Sequence, residues 1–524
     1  MRSELRWSLA LLGPLLLLHR PAGAQVGPIA PTTPSFAVTI RPELADGAGV
    51  SGRLLVVLGK AGGPEPRHAI GQTGMDAAPV LGADVVGLKP GGPAILDARS
   101  AIFPVANLAA LRPGRYAAQA VLHTNRDLNV VNAPGDLYSD VKSIEIGPDA
   151  GPSTRVELEL SHKIADESLP RDDGLIRYLK IKSKLLSDFH GRPIYVRAGV
   201  ILPRDFDREP ERRYPLRVHV GGYGARFTNA SRWMSTGSSF RSAWMADDAP
   251  RMIFVHLDGA GPLGDPYQVN SANNGPYGDA VTRELIPEVE RRFRGIGNGS
   301  ARAVDGGSTG GWVALALQVY YPEFFAGAWS FCADGVDFRS FQLVNIYEDA
   351  NAYVNGHGFE RPAARDTSGE VRTTMRHECR VENVLGLGDS WAMSGGQWGA
   401  WNAAYGPRGA DGRPVPLWDP ITGRIDRSVA DHWKAYDLRL VLEENWPKLA
   451  PRLRGKLHIW MGDADDYFLN NAMHRLDAFL SHAEPPYEGS ITFGPGKGHC
   501  WQGISEAEIL RQMAAAFRKA GAIE

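Results

Sequence analysis

The chain has 524 residues, beyond the roughly 250–300 at which a single hydrophobic core stops growing, so two domains are expected. Its 57 Lys and Arg nearly balance 59 Asp and Glu, for a net charge of −2, and no basic run carries interleaved aromatics. That balance points to no nucleic-acid partner and no anionic membrane surface.

In chain order the first element is an export signal, residues 1–24. Arg2 and Arg6 form a short charged start, an apolar run covers 7–18, and Ala22-Gly23-Ala24 places small residues before Gln25. A membrane anchor needs about 18–20 apolar residues. This run is shorter and Pro14 breaks it, so a cleaved leader and a secreted or periplasmic protein are expected, with no other segment apolar enough to span a bilayer. The three cysteines, Cys332, Cys379 and Cys500, suit an oxidising compartment poorly, because an odd count leaves at least one thiol unpaired. Their wide spacing fits no common zinc pattern, and no structural metal is expected.

Residues 34–164 read as an immunoglobulin-like β-sandwich. Short alternating runs, FAVTI (36–40), GRLLVVL (52–58), RYAAQAVLHT (115–124) and STRVELEL (153–160), are separated by Pro-Gly and Gly-Gly turns. Tyr116 opens a strand just after Pro113-Gly114. It is either a tyrosine corner, whose phenol bonds back to nearby backbone, or an ordinary strand aromatic.

Residues 175–524 change character. Short, mostly apolar runs, several of them rich in β-branched residues, at 193–203, 216–222, 252–259, 301–307, 325–333, 456–463 and 489–494, alternate with helical patterns at 278–293, 309–321 and 505–520. Strands interleaved with helices mean a mostly parallel sheet covered on both faces, an α/β fold.

Within that half, DGGSTGGW (305–312) sets Ser308 among four glycines, between a predicted strand and a predicted helix. This is the context of a nucleophile elbow, where a serine sits on a strained turn and neighbouring side chains would collide. No Gly-Lys-Ser/Thr follows and no dinucleotide fingerprint fits, so a phosphate loop is disfavoured. A serine needs a base, and the base needs an acid to hold it. The chain supplies both downstream, Asp465 in HIWMGDADDYF (458–468) and His499 in GPGKGHCW (494–501), in the order serine, acid, histidine. Asp465 is preferred to Asp466 for its distance past the strand, and Asp463 is expected to cap the next helix. An oxyanion hole would use the backbone N–H of Thr309 and one from Gly222 or Tyr223 in VHVGGYG (218–224). His219 is expected to be a buried strand residue rather than a catalytic one.

From about residue 190 onward the chain resembles an esterase family of α/β-hydrolases, the group that holds enterochelin esterases, S-formylglutathione hydrolase, feruloyl and acetylxylan esterases and mycolyltransferases. The matching segments are DGAG (258–261), NNGPYGDAVTRELIPEVERRF (273–293), GGSTGGW (306–312), PEFFAGAWSFC (322–332), GDADDYF (462–468) and GHCW (498–501). The resemblance implies an α/β-hydrolase sheet, no metal or organic cofactor, and an N-terminal β-sandwich as found in parts of that family. Some secreted relatives bridge a cysteine before the serine to one after the histidine. Here Gly307 precedes Ser308, so Cys500 must pair elsewhere or stay free.

An insertion at about 335–450, dense in Trp, Tyr, Gly and Asn, is expected to form a lid. Its aromatics either stack on sugars or aromatic acids or, for most of them, pack the lid's own core. The expected protein is a serine carboxylesterase acting on a small-molecule or carbohydrate-linked ester of carbohydrate, phenolic or siderophore type. The alternatives are an acyltransferase or serine peptidase on the same fold, or an inactive extracellular binding protein; the oligomeric state is left open.

Overall fold

The computed structural model describes residues 33–74, 76–147 and 155–524. The expected export signal lies outside the described residues.

The N-terminal part is all β. Hydrogen bonding links its strands in one path: Ala94–Leu96, Ser35–Ile40, Arg155–Lys163, Leu137–Ser139, Gly114–His123, Val50–Lys60, Val80–Leu88 and Ala101–Phe103, with Lys142–Ile146 also paired to Gly114–His123. The runs at 36–40 and 52–58 lie wholly in strands, as do 115–123 and 155–160 of the other two. Alternation explains why, since Val156, Leu158 and Leu160 turn inward while Arg155, Glu157 and Glu159 face water. Their inward side chains join Phe36, Val38, Leu54 and Val56 in one apolar core. The Tyr116 hydroxyl donates to the Arg112 carbonyl at 2.7 Å, the bond a tyrosine corner requires.

The second part holds an eight-stranded mixed sheet in the spatial order Ile176–Ser183, Ile194–Ile201, Ile253–Leu257, Leu216–Val220, Arg302–Gly307, Gly327–Phe331, Leu457–Gly462 and Ser490–Gly494. Numbered along the chain, this order is 1-2-4-3-5-6-7-8. The first two strands run antiparallel to their neighbours and the last six are mutually parallel. Parallel strands point their carboxyl ends to one edge, so the loops after all six open on the same side. The strand Ile176–Ser183 was not foreseen, because its lysines and arginine hide the edge-strand pattern. The predicted helix at 278–293 is continuous, but Val281–Leu285 form a π turn. Pro287, which has no N–H to give to residue 283, stands where that turn hands over to Ile286–Phe293.

Between Gly327–Phe331 and Leu457–Gly462 the chain builds the insertion from the helices Met375–Leu385, Gln397–Tyr405, Arg427–Trp433 and Leu438–Leu453. Its tryptophans are core residues. Trp391 stacks on Trp418 at 4.7 Å, and Trp398, Trp401 and Trp433 are at most 3% exposed, so none offers a free face for a sugar.

The insertion also clamps the β part. Val381 and Val384 pack with Leu55, Val57, Val80, Phe103 and Val121. Beside them Arg53, 2% exposed, donates to the Val384 carbonyl at 2.9 Å and pairs with Asp84 and Asp389.

Candidate active site

Ser308 follows Arg302–Gly307 and precedes the helix Thr309–Tyr320. Its φ of 58° and ψ of −124° lie where a non-glycine residue is strained, at a cost of about 1–3 kcal/mol. Neighbouring glycines make the turn possible. A Cβ on Gly306 would sit 2.4 Å from the Gly310 carbonyl oxygen, and one on Gly310 would sit 1.9 Å from the Val220 carbonyl oxygen. Backbone on both sides therefore excludes any side chain there, which accounts for Gly306 and Gly310.

Beyond Leu457–Gly462 and Ser490–Gly494 the loops carry Asp465 and His499. The structure brings the three side chains into series: His499 Nε2 lies 3.0 Å from Ser308 Oγ, and His499 Nδ1 lies 2.8 Å from Asp465 Oδ2. Asp465 is fully buried, and its other oxygen accepts the N–H groups of Tyr467 at 2.9 Å and Leu469 at 3.3 Å. Burial alone would lower the pKa of His499, but the hydrogen bond to Asp465, reinforced by Cys500, outweighs it and pushes the imidazole up to about 10. Asp466 acts on the backbone instead, accepting the His499 N–H at 3.0 Å. Asp463 does not cap the next helix as expected. It pairs with His474 inside that helix at 2.8 Å, because the loop turns twice more before the helix begins at Asn470.

The predicted oxyanion loop lies beside the serine. A Cβ on Gly222 would be 3.8 Å from Ser308 Cβ. Thr309 is the first helical residue, and its N–H has no carbonyl one turn back to bond. Tyr223 is anchored through its hydroxyl, which donates to the Gly395 carbonyl of the insertion. Asp265 holds the same loop by accepting the Gly224 N–H at 3.1 Å. His219 is buried in its strand, as expected, with Nδ1 3.1 Å from Asp305 Oδ2. There Arg217 bonds Asp305 at 2.6 Å and Glu506 at 2.9 Å, tying two strands to the final helix directly beneath the elbow.

Comparison with known families places residues 192–490 in a single match, the family described as "Putative esterase". The match spans more than half of the chain. The chain belongs to this esterase family. It is accordingly a carboxylic ester hydrolase with an α/β-hydrolase-like fold. Among solved structures, a ferulic acid esterase aligns at 15% identity and a TM-score of 0.40, over 66% of this chain and 97% of its own. An S-formylglutathione hydrolase from Agrobacterium tumefaciens aligns at 12% identity and 0.36, over 68% and 99%. A ferulic acid esterase from Anaeromyces mucronatus aligns at 12% and 0.32, over 65% and 90%. A comparison with curated proteins found no match.

In this esterase the serine opens into a cavity of about 970 Å³. Its walls come from three parts of the chain: Gly222 and Ser308 of the sheet edge, Ser394 and Trp401 of the insertion, and Ile70 and Asn129 of the β part. The contribution of the β part was not foreseen. It is held in place where Asn129 packs against Gly395 and its N–H donates to the Gly261 carbonyl at 2.9 Å.

Two further groups beside the serine escaped sequence reasoning. Asp334, three residues past Gly327–Phe331, is 2% exposed, and its carboxylate lies 3.5 Å from Ser308 Oγ. Burial raises its pKa above the usual carboxylate value. The second group is a cysteine pair. All three cysteines are thiols, yet the Sγ atoms of Cys332 and Cys500 and a ring nitrogen of His499 lie within 4.8 Å of one another. The Ser308 N–H donates to Cys332 Sγ at 3.3 Å. Burial raises the Cys332 thiol, whereas the hydrogen bond from Cys332, aided by His499, lowers that of Cys500.

Proposed function

We propose that the esterase works through an acyl-enzyme on Ser308. Ser308 Oγ attacks the ester carbonyl, and His499 Nε2 takes its proton. The bond from the carbonyl carbon to the alkoxy oxygen then breaks, and the alcohol leaves with the proton held by His499. Water repeats the sequence on the acyl group and releases the acid. Asp465 keeps His499 in the tautomer that presents Nε2 to the serine, and the N–H groups of Thr309 and of Gly222 or Tyr223 receive the oxyanion. One observation carries this reading: the unbroken series of 3.0 and 2.8 Å contacts from Ser308 to His499 to Asp465.

The domain division goes with it. Residues 34–164 form an immunoglobulin-like domain whose strand pattern and Tyr116 corner support that assignment, and 175–524 form the catalytic domain with its lid at about 335–450. The β domain then works as a wall of the substrate cavity rather than as a separate binding module. Export to the periplasm or medium rests on the charged start and apolar run of residues 1–24. The cavity, walled by residues from three parts of the chain, suits a small ester or one pendant from a carbohydrate.

A fluorophosphonate probe tests the assignment. Labelling is expected at Ser308 and lost in Ser308→Ala; labelling elsewhere, or hydrolysis retained by the variant, rejects it.

A further inference from the structure

The group beside Ser308 that acyl-enzyme chemistry leaves unused is Asp334. Its Oδ2 is filled by three donors: the Tyr267 hydroxyl at 2.8 Å, the Thr309 hydroxyl at 3.0 Å and the Trp401 indole N–H at 3.1 Å. Oδ1 faces the other way, 3.5 Å from Ser308 Oγ. A serine hydroxyl has one proton, and in the attacking state, with His499 deprotonated, Nε2 at 3.0 Å is the nearer acceptor. Oδ1 therefore keeps its lone pairs without a strong donor, at the place where an acyl group must sit. An isolated carboxylate there opposes the reaction, because attack builds negative charge on a carbonyl oxygen close by. A cationic donor seated on Oδ1 removes that opposition.

The rest of the cavity agrees. Asp265, Glu378 and Glu382 line it together with Asp334, and among the described residues no lysine or arginine does. Gln342 reaches it as well; the side chain is 3% exposed, and its Oε1 has no hydrogen-bond partner. A wall rich in acceptors, with no lysine or arginine among them, fits a ligand that brings donors and positive charge.

We propose that Asp334 receives an ammonium group on the α-carbon of the acyl part, making α-aminoacyl esters the preferred substrates. This rests on Ser308 being the nucleophile. Once the carbonyl carbon is bonded to Oγ, a group on its α-carbon lies within about 4 Å of Oγ and so within reach of Oδ1. The ester and one water become a free amino acid and an alcohol. The ammonium keeps its proton throughout.

The test compares the methyl esters of alanine, lactate and propionate, which share a carbon skeleton and differ at the α-position as ammonium, hydroxyl and hydrogen. Acid release is followed by pH-stat titration at about pH 6.5, where an α-amino group is protonated. The wild type is expected to favour alanine over propionate by at least about tenfold in kcat/KM, with lactate between them. Asp334→Asn, which keeps the shape, is expected to reduce the alanine-to-propionate ratio at least about tenfold. Equal rates for alanine and propionate in the wild type, or a ratio unchanged by the substitution, overturn the inference. Labelling of Ser308 by a fluorophosphonate separates the two failures: labelled protein without the preference defeats only this inference, while protein that neither labels nor turns over any ester defeats the nucleophile assignment with it.

Discussion

The loop after Leu457–Gly462 and the loop after Gly327–Phe331 end at the same edge of the sheet, and each buries an aspartate at Ser308. They differ in what the aspartate faces. Asp465 meets an imidazole at 2.8 Å and is steadied by two backbone N–H groups. Asp334 meets two hydroxyls and an indole, all ordinarily neutral, and points its remaining oxygen at the serine. Residue type and depth are nearly the same in the two loops, so neither decides the role. The partner does: a carboxylate bonded to a histidine can stabilise an imidazolium as it forms, whereas one bonded to fixed neutral donors can only present charge to whatever enters the cavity.

The strongest way to break the comparison removes the atom both loops converge on. Ser308→Ala is expected to lower ester turnover by about 10⁴-fold or more, with the far-UV circular dichroism unchanged. Asp465→Asn comes next, with an expected loss in kcat of about 10³- to 10⁴-fold, because an amide permits the wrong imidazole tautomer. The neighbouring Asp466→Asn touches only the His499 backbone and is expected to cost about tenfold or less, so a reversed order would move the acid to Asp466.

A third buried carboxylate sharpens the contrast through stability. Asp305 lies under the elbow; burial works against its ionised form, but the Arg217 charge and hydrogen bond prevail and hold it well below the usual carboxylate range. Its depressed pKa adds stability above the unfolded value, and that stability is lost as pH falls through the folded one. Arg217→Ala strands two buried acids and is expected to cost about 3–5 kcal/mol in urea unfolding.

The smallest expected effect concerns the base. Because kcat/KM rises as His499 loses its proton, and the pKa of His499 is raised, the rising limb of the pH profile is expected above 6.5. Cys500 contributes to that elevation, so Cys500→Ala should move the limb to lower pH. A limb that stays in place would leave Asp465 as the only source of the shift.

Ser308, Asp465 and His499 were legible because each stands just past a short, mostly apolar strand pattern that is plain in the sequence, and because glycines mark the places where backbone crowds the turn. Asp334 carried no such mark. It follows its strand as part of an unremarkable CADG, and its partners Tyr267 and Trp401 lie 67 residues away on either side. The tryptophans of the insertion were visible as a cluster, but composition does not say which side of an indole meets protein and which meets solvent. The cysteine pair was hidden for the same reason: Cys332 and Cys500 are far apart in the chain and become neighbours only because adjacent loops open on one edge.

Periodicity and turn chemistry are local properties, and local properties were enough for an all-β part followed by an α/β part, and for a serine, an acid and a base in workable order. Which surfaces would meet depended on contacts between segments hundreds of residues apart. The β part walling the cavity, Tyr223 tied to the insertion, and Asp334 turned toward Ser308 all arise from packing of complementary shapes and charges, and no short stretch of chain encodes those by itself.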